Sequence, residues 1–212
     1  MMEKLPDRID HLVYATTDLE EATQAIQELL GAPAVPGGRH PRWGTRNALV
    51  LLGPRTYLEL IGPDPEQSDH AGPRPFGLDA LDHPRLATWA CRGSDLHSIV
   101  LAAKGLGVDL GDVLPGGRQK PDGTRLSWTM TDALKPREGG LIPFFIDWGL
   151  STHPAGDAPA SCSFVRLRLE HPGPRRLRGV LGALGLDVPV SSGREPALIA
   201  TLASPRGEVE LR

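Results

Sequence analysis

A few side chains in this 212-residue chain sit where chemistry needs them. His11 lies within Ile9–Thr16, a run of β-branched and aromatic residues of strand length. At a period of two it shares a face with Ile9 and Val13. Glu59 lies in a second such run, Thr56–Gly62, on a face with Tyr57 and Ile61. An imidazole and a carboxylate so placed suit proton transfer or half of a site for Fe, Mn, Ni or Zn. The blander readings are a hydrogen-bonded core histidine and a solvated strand glutamate. Asp147 offers a further carboxylate, although a one-residue slip would turn it to the other face. His40 and His153 stand where a loop could bring them to the same place, His153 as a base or a ligand. Arg39 and Arg118 carry planar forks suited to carboxylate or phosphate. Asn47 is a candidate amide donor, and Trp148 a candidate wall for an apolar substrate. No Gly-x-Ser-x-Gly occurs, and Cys91 reads as a small packing residue.

The elements that must position these residues repeat. Residues 36–46 and 115–125 share a proline, Gly-Gly-Arg and Gly-Thr-Arg at identical internal spacing, 79 positions apart. The first copy is preceded by the His11 strand and a helix. Thr17 is its expected N-cap with Glu20 as capping-box partner, and Leu19, Ala22, Ile26, Leu29 and Leu30 form its stripe. The second copy is preceded by a strand at Leu86–Arg92 and a helix capped by Ser94. Two strands follow each copy: Ala48–Leu52 and Thr56–Gly62, then Leu126–Thr131 and Leu141–Gly149. The Gly-Gly pairs read as structural turns that need a positive φ. Counting back from Asp95 places Thr88 opposite His11, with no good ligand there, and Gln119 stands where the first copy has His40.

A third, degraded copy covers 161–212. It has strands at Ser163–Glu170, Ala197–Ala203 and Glu208–Leu211, and a helix opened by Pro174 at its first position. It could cover the edge of the main unit or mediate dimerisation. Stretches 63–84 and 150–160 are polar, rich in Pro and Gly, and read as linkers. The expected fold is α+β: two βαβββ modules, 8–64 and 84–150, forming a curled mixed-sheet cup, plus the partial third.

Composition narrows the function classes. Lys plus Arg is 23 and Asp plus Glu 26, for a net charge of −3, which argues against nucleic acid as a partner. Gly 25 and Pro 21 imply short elements. Two cysteines make neither a disulfide scaffold nor a structural zinc site. No apolar run reaches membrane length, and Met1–Asp10 lacks the apolar core of a signal peptide, so a cytoplasmic protein is expected.

The β-α-β-β-β pair resembles the vicinal oxygen chelate superfamily of glyoxalases, extradiol dioxygenases and bleomycin-resistance proteins. More narrowly, the chain is similar to the glyoxalase-like domain family. The matching segments are Asp10–Tyr14, Gly37–His40, Gly44–Leu49, Tyr57–Leu60, Pro143–Trp148 and His153-Pro154. The resemblance implies one divalent metal ion, held from the first and last strands of each module, and no organic cofactor. Here that means His11, Glu59 and Asp147, with Glu59 and His153 as catalytic candidates. Arg39, His40, Asn47, Arg118 and Trp148 are the candidate substrate contacts. The implied substrate is a small carbonyl or diol compound, with isomerase, lyase or dioxygenase chemistry. The alternative is a metal-free binding protein that sequesters a small molecule.

Overall fold

A computed structural model describes residues 5–120, 122–134, 137–156 and 159–212. A helical turn α1 (Leu5–Arg8) leads into β1 (Ile9–Ala15), α2 (Leu19–Leu30), β2 (Val35–His40), β3 (Thr45–Gly53) and β4 (Thr56–Pro63). The second run is β5 (Arg85–Arg92), α3 (Leu96–Gly105), β6 (Val113–Gln119), β7 (Arg125–Thr131) and β8 (Phe144–Asp147). The last part is β9 (Ser163–His171), α4 (Pro174–Ala183), β10 (Val190–Ser192), β11 (Ala197–Ser204) and β12 (Gly207–Leu211).

Strands β1 to β8 form the expected curled mixed sheet, which closes into a barrel in the order β1-β4-β3-β2-β6-β7-β8-β5. The sheet is mixed: β1 runs parallel to β4 and β5 to β8, whereas β1 and β5 are antiparallel. Closure joins β2 to β6 through a single pair, Arg39 with Gln119. Gly38 permits it. A Cβ there would lie 2.2 Å from the Gln119 carbonyl oxygen, and its φ of +148° disfavours any other residue. The Gly-Gly pairs are thus strand positions of close approach, where turns were expected. Gly37 likewise leaves room for the Asn47 side chain, and Gly116 for Trp128.

Period-two alternation sorts the barrel into two layers. Val13, Ala15, Ile61, Ala90, Leu126, Trp128, Met130, Phe144 and Ile146 face inward. Leu12, Val50, Leu58, Leu60, Trp89, Cys91 and Phe145 face outward into a larger core shared with α2, α3 and the last segment. Strand β1 breaks the alternation. Ile9 pairs with Cys91 and His11 with Ala90, so Asp10 is the extra residue of a β-bulge. Ile9 therefore joins the outer core, although alternation put it on the face of His11 and Val13.

Helix α2 buries Leu19, Ala22, Ile26 and Leu30, and each large side chain contributes about 1.5–3 kcal/mol on burial. Its N-cap is Asp18, which accepts from the Glu21 N–H; the cap of α3 is Asp95, which accepts from Ser98. Each helix starts one residue later than Thr17 or Ser94 would place it. The short carboxylate outcompetes the hydroxyl before it, and such a cap contributes about 1 kcal/mol.

The last segment forms its own sheet, β10-β9-β11-β12. Leu167, Leu169, Leu198, Ala200 and Leu202 pack on the outer core with Leu177 and Leu181 of α4. The stretches expected as linkers do more than connect. Phe76 and Leu78 of residues 63–84 are buried in the inner cluster, and Ala155 of 150–160 is buried too. No helix among the described residues is long and apolar enough to cross a membrane.

Candidate functional site

The titratable side chains of the inner wall converge on a small cavity of about 30 Å³, room for the centres of two or three waters. His11, His40, Asn47, Tyr57, Glu59 and Arg118 line it, walled by Trp43, Phe76, Trp128, Phe144 and Trp148. Two larger concavities, of about 980 and 910 Å³, lie on the outside of the barrel. The interior cavity is the stronger candidate because the buried acids and bases meet there.

Each residue is held by local structure. The bulge turns Asp10 beside its neighbour, and His11 Nδ1 lies 2.7 Å from Asp10 Oδ1. The other Asp10 oxygen accepts from Trp148 Nε1 at 3.1 Å and meets His153 Nε2 at 3.2 Å. Arg92 stands 3.8 Å from it. Burial alone would raise the Asp10 carboxyl, but the hydrogen bonds from His11 and His153 hold it well below the usual carboxylate range. A fixed carboxylate keeps the His11 proton on Nδ1 and turns the Nε2 lone pair to the cavity. Glu59 Oε2 lies 3.7 Å from that Nε2. Glu59 Oε1 accepts from Asn47 Nδ2. Tyr57 stacks on His11 with ring centres 4.6 Å apart, and burial pushes its hydroxyl well above its ordinary value.

His40 and Arg118 face each other across the β2–β6 junction. Arg39 and Gln119 are paired and both exposed, so the residues beside them turn inward. Arg118 thus occupies the place across from His40, with Gln119 outside. His40 Nδ1 lies 3.0 Å from Thr45 Oγ1, and burial brings its pKa down to about 4.

The other candidates lie elsewhere. Arg39 is on the outer face, paired with Glu66 and with Asp64 at 3.5 Å. His153 reaches the site only through Asp10, whereas Trp148 both walls the cavity and donates to Asp10. Asp147 is turned away: Ile146 takes the inner position of β8, and Asp147 Oδ1 accepts from the Gly149 N–H at 2.9 Å. Cys91 is buried in the outer core, and burial pushes its thiol far up, as expected of a packing residue. Residue type and spacing did not single out Asp10, because alternation sends neighbours to opposite faces. Only the bulge brings it to His11.

The donors do not fit a resident divalent ion. Among the described residues no three His, Cys, Asp or Glu side chains gather as a metal-holding group. Thr88 pairs with Val13, where Ala90 is the partner of His11, and its hydroxyl donates to the Gly140 carbonyl. The Arg118 guanidinium faces the same cavity and opposes a second cation.

Two results are expected here. The unfolded chain binds more protons than the native state between pH 6.5, the ordinary histidine value, and the native His40 value of about 4. Stability therefore falls as pH drops through that window, by roughly 3 kcal/mol from His40 alone. Asp10 adds nothing there, because a lowered carboxylate loses its contribution only below its unfolded value of 3.8. Urea midpoints at pH 7 and 4.5 check this, and the drop shrinks in His40→Gln; an equal drop in both proteins would contradict it. At Gly37, a Cβ would lie 2.1 Å from Asn47 Oδ1. Gly37→Ala is expected to cost about 1–3 kcal/mol, much of it recovered when Asn47→Ala is added. Additive losses in that double-mutant cycle would refute the conflict.

The fold and site together are a closed mixed barrel with a His–Glu pair on its inner wall. The model of the Glyoxalase-like domain family matches residues 9–185, and the chain belongs to that family. A hypothetical protein from Staphylococcus aureus superposes with a TM-score of 0.65 at 13% identity, over 95% of this chain and 83% of that one. Methylmalonyl-CoA epimerase from Mycobacterium tuberculosis gives 0.43 at 23% identity, over 70% and 93%. The epimerase from Streptomyces coelicolor, in complex with 2-nitronate-propionyl-CoA, gives 0.44 at 19%, over 69% and 98%. These likenesses concern the fold alone. No curated protein matches the sequence.

Proposed function

We propose that this chain is a glyoxalase-like enzyme that moves a proton at a carbon next to a carbonyl, with Glu59 and His11 as its acid–base pair. One observation carries the reading: Asp10 fixes His11 so that Nε2 faces Glu59 across a buried cavity at 3.7 Å. Two acceptors in that geometry want one proton between them. In the reaction Glu59 takes the proton from the substrate C–H, and the C–H electron pair forms the enolate with its charge on the carbonyl oxygen. The proton, handed from Glu59 to His11 Nε2 or kept on Glu59, is returned to the same carbon as the carbonyl re-forms. Asn47 holds Glu59 in place, and the aromatic wall excludes water. The same reading takes 8–64 and 84–150 as two βαβββ copies and 161–212 as a partial third that supports the barrel from outside.

The test is proton exchange in D2O, followed by NMR over a panel of small 2-oxo acids, diones and thioesters. Wild type is expected to wash deuterium into one C–H of a preferred compound, and Glu59→Gln to lose this. Tight binding without exchange across the panel would favour sequestration, the reading suggested by the aromatic lining. Elemental analysis accompanies it. About one equivalent of Fe, Mn, Ni or Zn, lost in His11→Ala, would replace the shared proton with a metal centre.

A further inference from the structure

We infer that Arg118 is the anchor for a singly charged carboxylate on the substrate, so that the barrel takes small carboxylic acids in preference to their neutral analogues or to phosphates. The inference rests on the reading above for what happens to the bound acid, but not for binding itself.

Arg118 is 4% exposed, and its Nη1 is fully buried with no hydrogen-bond partner among the described residues. Other arginines of this chain are held by acids or by backbone carbonyls: Arg39 by Asp64 and Glu66, Arg46 through Nη2 by Glu20 with its Nε left open, Arg74 by Asp79, and Arg8 and Arg178 by the carbonyls of Gly185 and Val190. Arg39 occupies the equivalent place in the first Gly-Gly-Arg segment, so the two copies have parted: one guanidinium is satisfied outside, the other unsatisfied inside. A buried donor left open in a folded protein calls for an explanation, and a guanidinium fork matches a carboxylate in both charge and shape.

The surroundings choose the class of anion. Glu59 takes its hydrogen bond from Asn47 and lies beside His11, which leaves Arg118 to a ligand. A dianion would bring a second negative charge next to Glu59 and meet no second fixed cation. Asn47 Oδ1 is also buried without a partner, but it lies against Gly37. Trp43 and Trp148 are the lining residues that keep partial exposure, so the rest of the acid extends toward them.

The experiment titrates the full chain with pyruvate, with its neutral isostere butane-2,3-dione, and with inorganic phosphate. Binding is read by calorimetry and by the fluorescence of the tryptophans in the wall. Pyruvate is expected to bind at least about 30-fold tighter than the dione and to lose that margin in Arg118→Gln. Arg118→Lys keeps the charge without the fork and is expected to fall between them. Near-ultraviolet circular dichroism of each variant shows that the barrel is intact, and a misfolded glutamine variant leaves the lysine variant and the wild-type comparison to decide. Equal binding of pyruvate and dione, no binding of either, phosphate binding as tightly as pyruvate, or unchanged pyruvate affinity in Arg118→Gln would each overturn the inference. The two readings fail separately. Pyruvate held through Arg118 with no exchange leaves the anchor standing and removes proton transfer; exchange of the dione at the same rate does the reverse.

Discussion

Glu59→Gln is expected to lower the rate of C–H exchange by about 10²–10⁴-fold, the usual worth of a positioned general base. The substitution is nearly isosteric. A glutamine oxygen still accepts from Asn47 Nδ2, which holds the native side chain. What disappears is the ability to take a proton, while His11 keeps its place on Asp10 at 2.7 Å. Thermal stability should therefore change little while turnover collapses. The measurement is the exchange rate in D2O beside the melting temperature of the same preparation. Retention of more than a tenth of the wild-type rate would remove Glu59 from the chemistry.

Asp10→Asn is expected to have the largest effect on stability, about 3 kcal/mol or more. The native carboxylate is fully buried and receives His11, His153 and Trp148, with Arg92 at 3.8 Å. An asparagine amide offers one good acceptor oxygen and, on its other side, two N–H donors that meet donors already there. The charge that balanced Arg92 is lost as well. Because Asp10 also fixes the His11 tautomer, exchange should fall with stability, and raising the pH should restore neither. Urea unfolding provides the check. A midpoint loss worth under about 1 kcal/mol would mean that Asp10 is not the hub of this network.

The mixed α+β character and the curled sheet were legible in the alternation of strand-length runs and helical stripes, and period two put Tyr57, Glu59 and Ile61 on one face, where they line the cavity. Other features depended on tertiary events with no local signature. Asp10 reaches His11 only through the bulge. Phe76 comes from a Pro-rich stretch without periodicity, yet lines the interior. Asp147 was one residue from the inner wall, and β8, only four residues long, gave too little alternation to fix its parity. Arg39 and Arg118 looked alike in sequence and were separated by pairing: once Arg39 and Gln119 pair on the outside, only Arg118 can turn in.

That pairing also makes the barrel mechanically uneven. The β3–β4 joint runs from Thr45–Pro63 to Gly53–Thr56, and the β6–β7 joint from Val113–Thr131 to Gln119–Arg125. The β2–β6 joint rests on one pair. Local opening begins where the fewest backbone bonds must break, so this ring has a built-in parting line. His40 and Arg118 stand directly beside it. The charged wall of the cavity is therefore built at the thinnest of the ring's eight joints, with the other seven and the core behind them holding the rest of its shape.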